Sequence, residues 1–175
     1  MRIYLREATL DDGPNIVKWR NAPNVSSHCF NKDPITLESN REFFDYYVKT
    51  GRYKQYIVER IDEECGVASY PIATVYLKDI DNHNNRCQLC IFTSDDHEWN
   101  DESQSIAVSM LLDKAFGELG MHKVYSYVFA EYPEEVALLK RAGFRVEAIL
   151  EREAVNDKGT YSDAIRMCVL NEEHR

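Results

Sequence analysis

The run "SIAVSMLLDKAFGELG", Ser105 to Gly120, most constrains what this chain can become. Ile106, Met110, Leu111, Ala115, Phe116 and Leu119 recur at helical spacing and form a wide apolar stripe, and Gly120 closes it. The pattern predicts a helix beginning within a residue or two of Ser103. Such a stripe must be buried against another layer, and the segments around the helix supply strands. "IYLRE" near the N-terminus alternates. "QYIVER", "IATVYLKDI" and "RCQLCIFTS" are β-rich runs separated by polar turns, the pattern of an antiparallel meander. After the helix come "KVYSYVF", a short helix "EEVALLKRAG" ending at Gly143, and two further strands, "FRVEAILEREAV" and "YSDAIRMCVL", joined by the turn "NDKG".

Two helices precede the meander. Thr9, with Asp12 three residues later, is a capping box opening a helix through "IVKWRN" that stops before Pro23, and a loop follows. Thr36 caps a second helix, which ends at Gly51. Meander and crossovers together define an α+β class: a mixed seven-strand sheet flanked by about four helices. No linker, repeat or low-complexity segment divides the chain, so residues 1–175 read as a single domain.

A formal charge of −9 opposes nucleic acid and anionic membrane as partners, since both are polyanions. No apolar run approaches twenty residues and the N-terminus lacks signal-peptide features, which points to a cytoplasmic protein. The five cysteines, Cys29, Cys65, Cys87, Cys90 and Cys168, suit free thiols in apolar surroundings. In "CQLC" the two sulfurs should leave opposite faces of one strand, so no metal site is expected. The oligomeric state stays open, with a dimer compatible.

The blocks "WRNAPNV", "ITLESNREFF", "NNRCQLCIF", "LLDKAFGELGMHKVYSYVFAE", "LLKRAGFRVEAILERE" and "YSDAIRMCVL" fall in the order and spacing of one family. The chain resembles the GNAT superfamily of N-acyltransferases, in the branch of ribosomal-protein N-terminal, spermidine and aminosugar acetyltransferases. The resemblance implies acyl transfer from acetyl-CoA or another donor to a small-molecule or peptide amine. It places a strand bulge at Ile91, Phe92 and Thr93 against the pantetheine arm, and acceptor contacts at Arg20, Glu38, Arg41, Tyr161 and Asp163. It also sets a glycine-rich diphosphate turn at Trp99–Gln104, where the chain reads "WNDESQ".

That turn raises a second possibility. Five acids, Asp95, Asp96, Glu98, Asp101 and Glu102, stand in the eight residues before Ser103. Each acid close to a phosphate would cost roughly 1–4 kcal/mol. Asp101 or Glu102 is expected to cap the helix in the anion's place. The family's thiolate-protonating tyrosine aligns with Leu139 and its strand acid with Gln88, leaving Tyr132 as the candidate proton donor. His28 and His97 read as exposed loop histidines, with a general-base role as the alternative. The competing functional expectation is a GNAT-fold protein that has lost acetyl-CoA, either as a non-catalytic ligand- or partner-binding module or as a repurposed enzyme.

Overall fold

A computed structural model describes residues 1–64 and 68–174. Its elements are β1 (Ile3–Glu7), α1 (Gly13–Asn21), α2 (Pro23–Ser26), α3 (Leu37–Phe43), β2 (Lys54–Asp62), β3 (Ala68–Asp81) and β4 (Arg86–Cys90), followed by α4 (Asp101–Asp113), β5 (Lys123–Phe129), α5 (Pro133–Arg141), β6 (Arg145–Val155) and β7 (Tyr161–Leu170). The seven strands form one sheet in the order β1-β2-β3-β4-β5-β7-β6. Among the described residues only β4 and β5 pair in parallel, because α4 carries the chain across between them.

The sheet is covered on both faces, and alternation along β2 shows how. Tyr56 and Val58 enter the large core with Val108, Leu111, Leu112 and Leu139, whereas Ile57 packs with Ile16 and Trp19 of α1. The buried face of α4 centres on Ala107, Val108, Leu111 and Leu112, with Ile106 and Met110 at its edges. The helix then widens to a π turn over Lys114–Glu118 and stops at Gly120, whose φ of +64° a side chain would strain.

Both early caps form: Asp12 accepts from the Thr9 N–H at 2.8 Å, and Thr36 Oγ1 accepts from the Ser39 N–H at 3.1 Å. Three expectations are corrected. Pro23 opens α2 instead of a loop, because proline is preorganised for a first helical position, and this makes five α-helices among the described residues. The strand in "RCQLCIFTS" ends at Cys90; Ile91–Thr93 turn away, with the Thr93 N–H closing on the Ile91 carbonyl at 3.0 Å. The cap of α4 is Asn100, not Asp101 or Glu102.

Cys87 is fully buried in the core while Cys90, three residues on, is only partly buried. Cys29, Cys87, Cys90 and Cys168 are free thiols, and Cys65 lies outside the described residues. Among the described residues no His, Cys, Asp and Glu cluster could hold a metal, and no helix is long and apolar enough to cross a membrane.

Candidate active site

β4 and β5 pair over three residues only, Arg86–Gln88 against Lys123–Tyr125. Just beyond, the Ser126 hydroxyl donates to the Leu89 carbonyl at 2.9 Å, and the strands then separate. On the β4 side the Ile91 carbonyl accepts from Trp99 Nε1 at 3.1 Å, pinning the buried indole beneath the turn. α2 and the residues after it cover the other side. Phe30 packs edge-on against Phe129, while Lys32 bonds the Ser27 carbonyl at 2.8 Å and pairs with Asp157 of the β6–β7 turn at 3.4 Å.

A cavity of about 260 Å³ lies beside this parting, between the end of β4, the start of α4, α5 and α2. Phe92, Trp99, Val25 and Leu138 give it apolar walls. Its charged lining is acidic, from Asp101, Glu134 and Glu135, with no lysine or arginine among the described residues that line it. Glu135 sits in the first turn of α5, 5% exposed, and its carboxylate meets Nδ1 of His28. Burial pushes the Glu135 carboxyl above its ordinary range, and His28 opposes the shift. The His28 ring stacks on Tyr132 with centroids 3.8 Å apart. Burial also raises the Tyr132 phenol, against a contact from the Ser27 side chain, so it remains protonated at neutral pH.

The turn before α4 carries several internal hydrogen bonds. The Asp96 N–H donates to Ser94 Oγ at 3.1 Å, and the Glu98 N–H to Asp96 Oδ1 at 2.9 Å. The Trp99 N–H donates to the Asp96 carbonyl at 2.9 Å. Asn100 Oδ1 accepts from the Glu102 and Ser103 N–H groups at 3.0 and 3.3 Å, and Ser103 Oγ accepts from the Asn100 N–H at 2.9 Å. The acids hold the protein's own cations: Glu102 the N-terminal ammonium at 2.7 Å, Asp101 Arg141 at 3.6 Å, and Glu98 Arg60. A diphosphate bound at a helix start needs free N–H groups and a positive field. Here the Glu102 and Ser103 N–H groups are already taken by Asn100, and carboxylates of Asp101 and Glu102 flank the helix start.

The residues expected around the acceptor are dispersed. Arg20 donates through Nη2 to the Asn31 carbonyl and so ties down the segment after α2, while its Nη1 is buried without a hydrogen bond. Glu38 and Arg41 are exposed on α3. Tyr161 is 60% exposed, and Asp163 Oδ1 accepts from the Arg152 N–H at 2.8 Å within the β6–β7 hairpin. Of Ile91, Phe92 and Thr93, Phe92 lines the cavity. Tyr132 adjoins the cavity through its stacking on His28, which lines it.

Two features of the cleft differ from the sequence reading. His97 is exposed as expected, but His28 is largely covered and paired. Glu135 was not singled out; the signal was an acid three and four residues before Leu138 and Leu139, on the buried face of α5.

A mixed sheet whose parallel central pair splays beside a helix-covered cleft defines the acetyltransferase fold, and a family profile described as Acetyltransferase (GNAT) domain matches residues 2–145. The chain belongs to the GNAT acetyltransferase family. It is 23% identical over 173 residues to a spermidine N(1)-acetyltransferase of Vibrio cholerae, covering 99% of this chain and 95% of that protein. It is 22% identical to the Escherichia coli K12 spermidine N(1)-acetyltransferase, covering 98% and 88%. The crystal structure of the Vibrio cholerae spermidine N-acetyltransferase in complex with CoA and spermine superposes with a TM-score of 0.85, at 24% identity, over 98% of this chain and 96% of that one.

Proposed function

We propose that this chain is an amine N-acyltransferase of the GNAT family whose acyl donor is held by its thioester arm in the cleft beside β4, without a grip on a diphosphate at the start of α4. One observation carries the reading: a cavity opens just past the end of β4, between α2, α4 and α5, while the Glu102 and Ser103 N–H groups at the start of α4 are engaged by Asn100. Acetyl-CoA is the donor that the family resemblance assigns; its diphosphate would meet a turn whose Glu102 and Ser103 N–H groups already serve Asn100.

The acceptor proposed is a cationic small-molecule or peptide amine. The acidic lining favours a cation, and relatives bear the name of spermidine acetyltransferases. Arg20, Glu38, Arg41, Tyr161 and Asp163 remain the proposed acceptor-side contacts, with Ile91, Phe92 and Thr93 along the donor arm. Holding amine and thioester together supplies much of the rate for such a transfer. Tyr132, protonated at neutral pH, is the proposed proton donor to the departing thiolate.

Tyr132→Phe is expected to lower acyl transfer by about one to three orders of magnitude, measured as thiol release with spermidine, a basic dipeptide or an amino sugar as acceptor. Full activity in this variant would remove the role given to Tyr132. The filled turn also favours a second reading, a binding module without catalysis. Absence of thiol release with every acceptor, together with tight binding of any one of them, would support it.

A further inference from the structure

Of the cleft's polar groups, His28 and Glu135 are the pair the mechanism leaves unused. They come from distant segments: α2 and the turn after it carry His28, and the first turn of α5 carries Glu135. Nδ1 of His28 is the buried nitrogen and faces the Glu135 carboxylate. Nε2 has no hydrogen-bond partner among the described residues, and the ring lines the cavity. Stacking on Tyr132 behind and Phe92 at 6.3 Å fixes the ring plane.

A carboxylate on one imidazole nitrogen selects the tautomer that leaves the other nitrogen as an acceptor. Glu135 is an expensive group to bury, and its protein partner is this ring. A plain structural contact at the position would be met more cheaply by an apolar residue, as at Leu138 and Leu139 on the same face.

We propose that His28 is the general base of this cleft, taking its proton through Nε2 from the acceptor amine, and that Glu135 is its positioning residue. This rests on the acyltransferase reading above. In the step, the amine nitrogen forms a bond to the acyl carbon of a thioester and the carbon–sulfur bond breaks. The amine proton passes to Nε2, the thiolate takes a proton from the Tyr132 phenol, and solvent resets both groups. The titratable groups around the ring are Glu135 and Glu134 of α5, Tyr132 before it, and Asp101 across the cavity. Cys90 of β4 lies within electrostatic reach of Glu135.

The test compares wild type, His28→Gln, His28→Ala and Glu135→Gln by thiol release against pH, with thermal unfolding as the folding control. His28→Gln should lower kcat about 10²- to 10⁴-fold with KM nearly unchanged, and added imidazole should partly restore His28→Ala. Glu135→Gln should lower kcat less than His28→Gln, with KM nearly unchanged, because the ring loses the carboxylate that selects its tautomer. Wild-type kcat in His28→Gln, or in Glu135→Gln, would overturn the assignment. Imidazole ¹⁵N shifts in the wild type separate this from the acyltransferase reading: no turnover with any amine sinks that reading. A ring protonated on Nε2 instead of Nδ1 sinks the dyad, whatever the turnover.

Discussion

An Asn100→Gly, Glu102→Gly double variant is expected to bind acetyl-CoA about ten- to hundredfold more tightly than the wild type. Asn100 Oδ1 occupies the Glu102 and Ser103 N–H groups, and removing it frees both at the positive end of α4. A hydrogen bond to a charged group contributes roughly 1.5–3 kcal/mol, so one recovered phosphate contact accounts for the range. Losing the Glu102 carboxylate also removes a repulsion from the phosphate's approach. The folding cost is small: glycine replaces an asparagine cap for a few tenths of a kcal/mol, and the Glu102 pair with the N-terminal ammonium is exposed on its acidic side. Calorimetric titration reads the change. Equal affinity in the two proteins would mean that the engaged amides are not what limits donor binding.

Trp99→Ala is expected to destabilise the fold by about 3–5 kcal/mol, lowering the unfolding temperature by roughly 6–20 °C. The indole is 6% exposed, packs into the large core and donates to the Ile91 carbonyl at 3.1 Å. That bond joins the turn before α4 to the end of β4, so the cavity wall should loosen with the core. Trp99→Phe keeps most of the buried ring and gives up the hydrogen bond, and should cost about 1 kcal/mol. A Trp99→Ala protein as stable as the wild type would show that the turn is held by its hydrogen bonds alone.

The fold was legible where the signal is local and long. α4 carries its periodicity over four turns, and Gly120 marks its end by a backbone conformation that only glycine adopts freely. The strands follow from alternation and turn residues, and β2 shows that alternation directly in Tyr56, Ile57 and Val58. α2 was not legible, because four residues hold no period and Pro23 reads equally as a stop and a start. The cap of α4 was hidden for a different reason. Asn100, Asp101, Glu102 and Ser103 are all competent near a helix start, and only the path of the turn decides that Asn100 and Ser103 exchange hydrogen bonds. The His28–Glu135 pair depends on tertiary contact between distant segments, so the sequence showed no more than a histidine in a presumed loop and an acid on an apolar face.

The most direct test of the account is a side-by-side titration of the wild-type protein with acetyl-CoA and S-acetylpantetheine, which share the thioester arm but not the diphosphate. With the Glu102 and Ser103 amides engaged by Asn100, and those of Asn100, Asp96 and Glu98 by Ser103, Ser94 and Asp96, the two donors are expected to bind within a few-fold of each other and to support similar thiol release with the same amine. Binding of acetyl-CoA a hundredfold or more tighter than the truncated donor would contradict the account, because the turn would then be gripping the diphosphate.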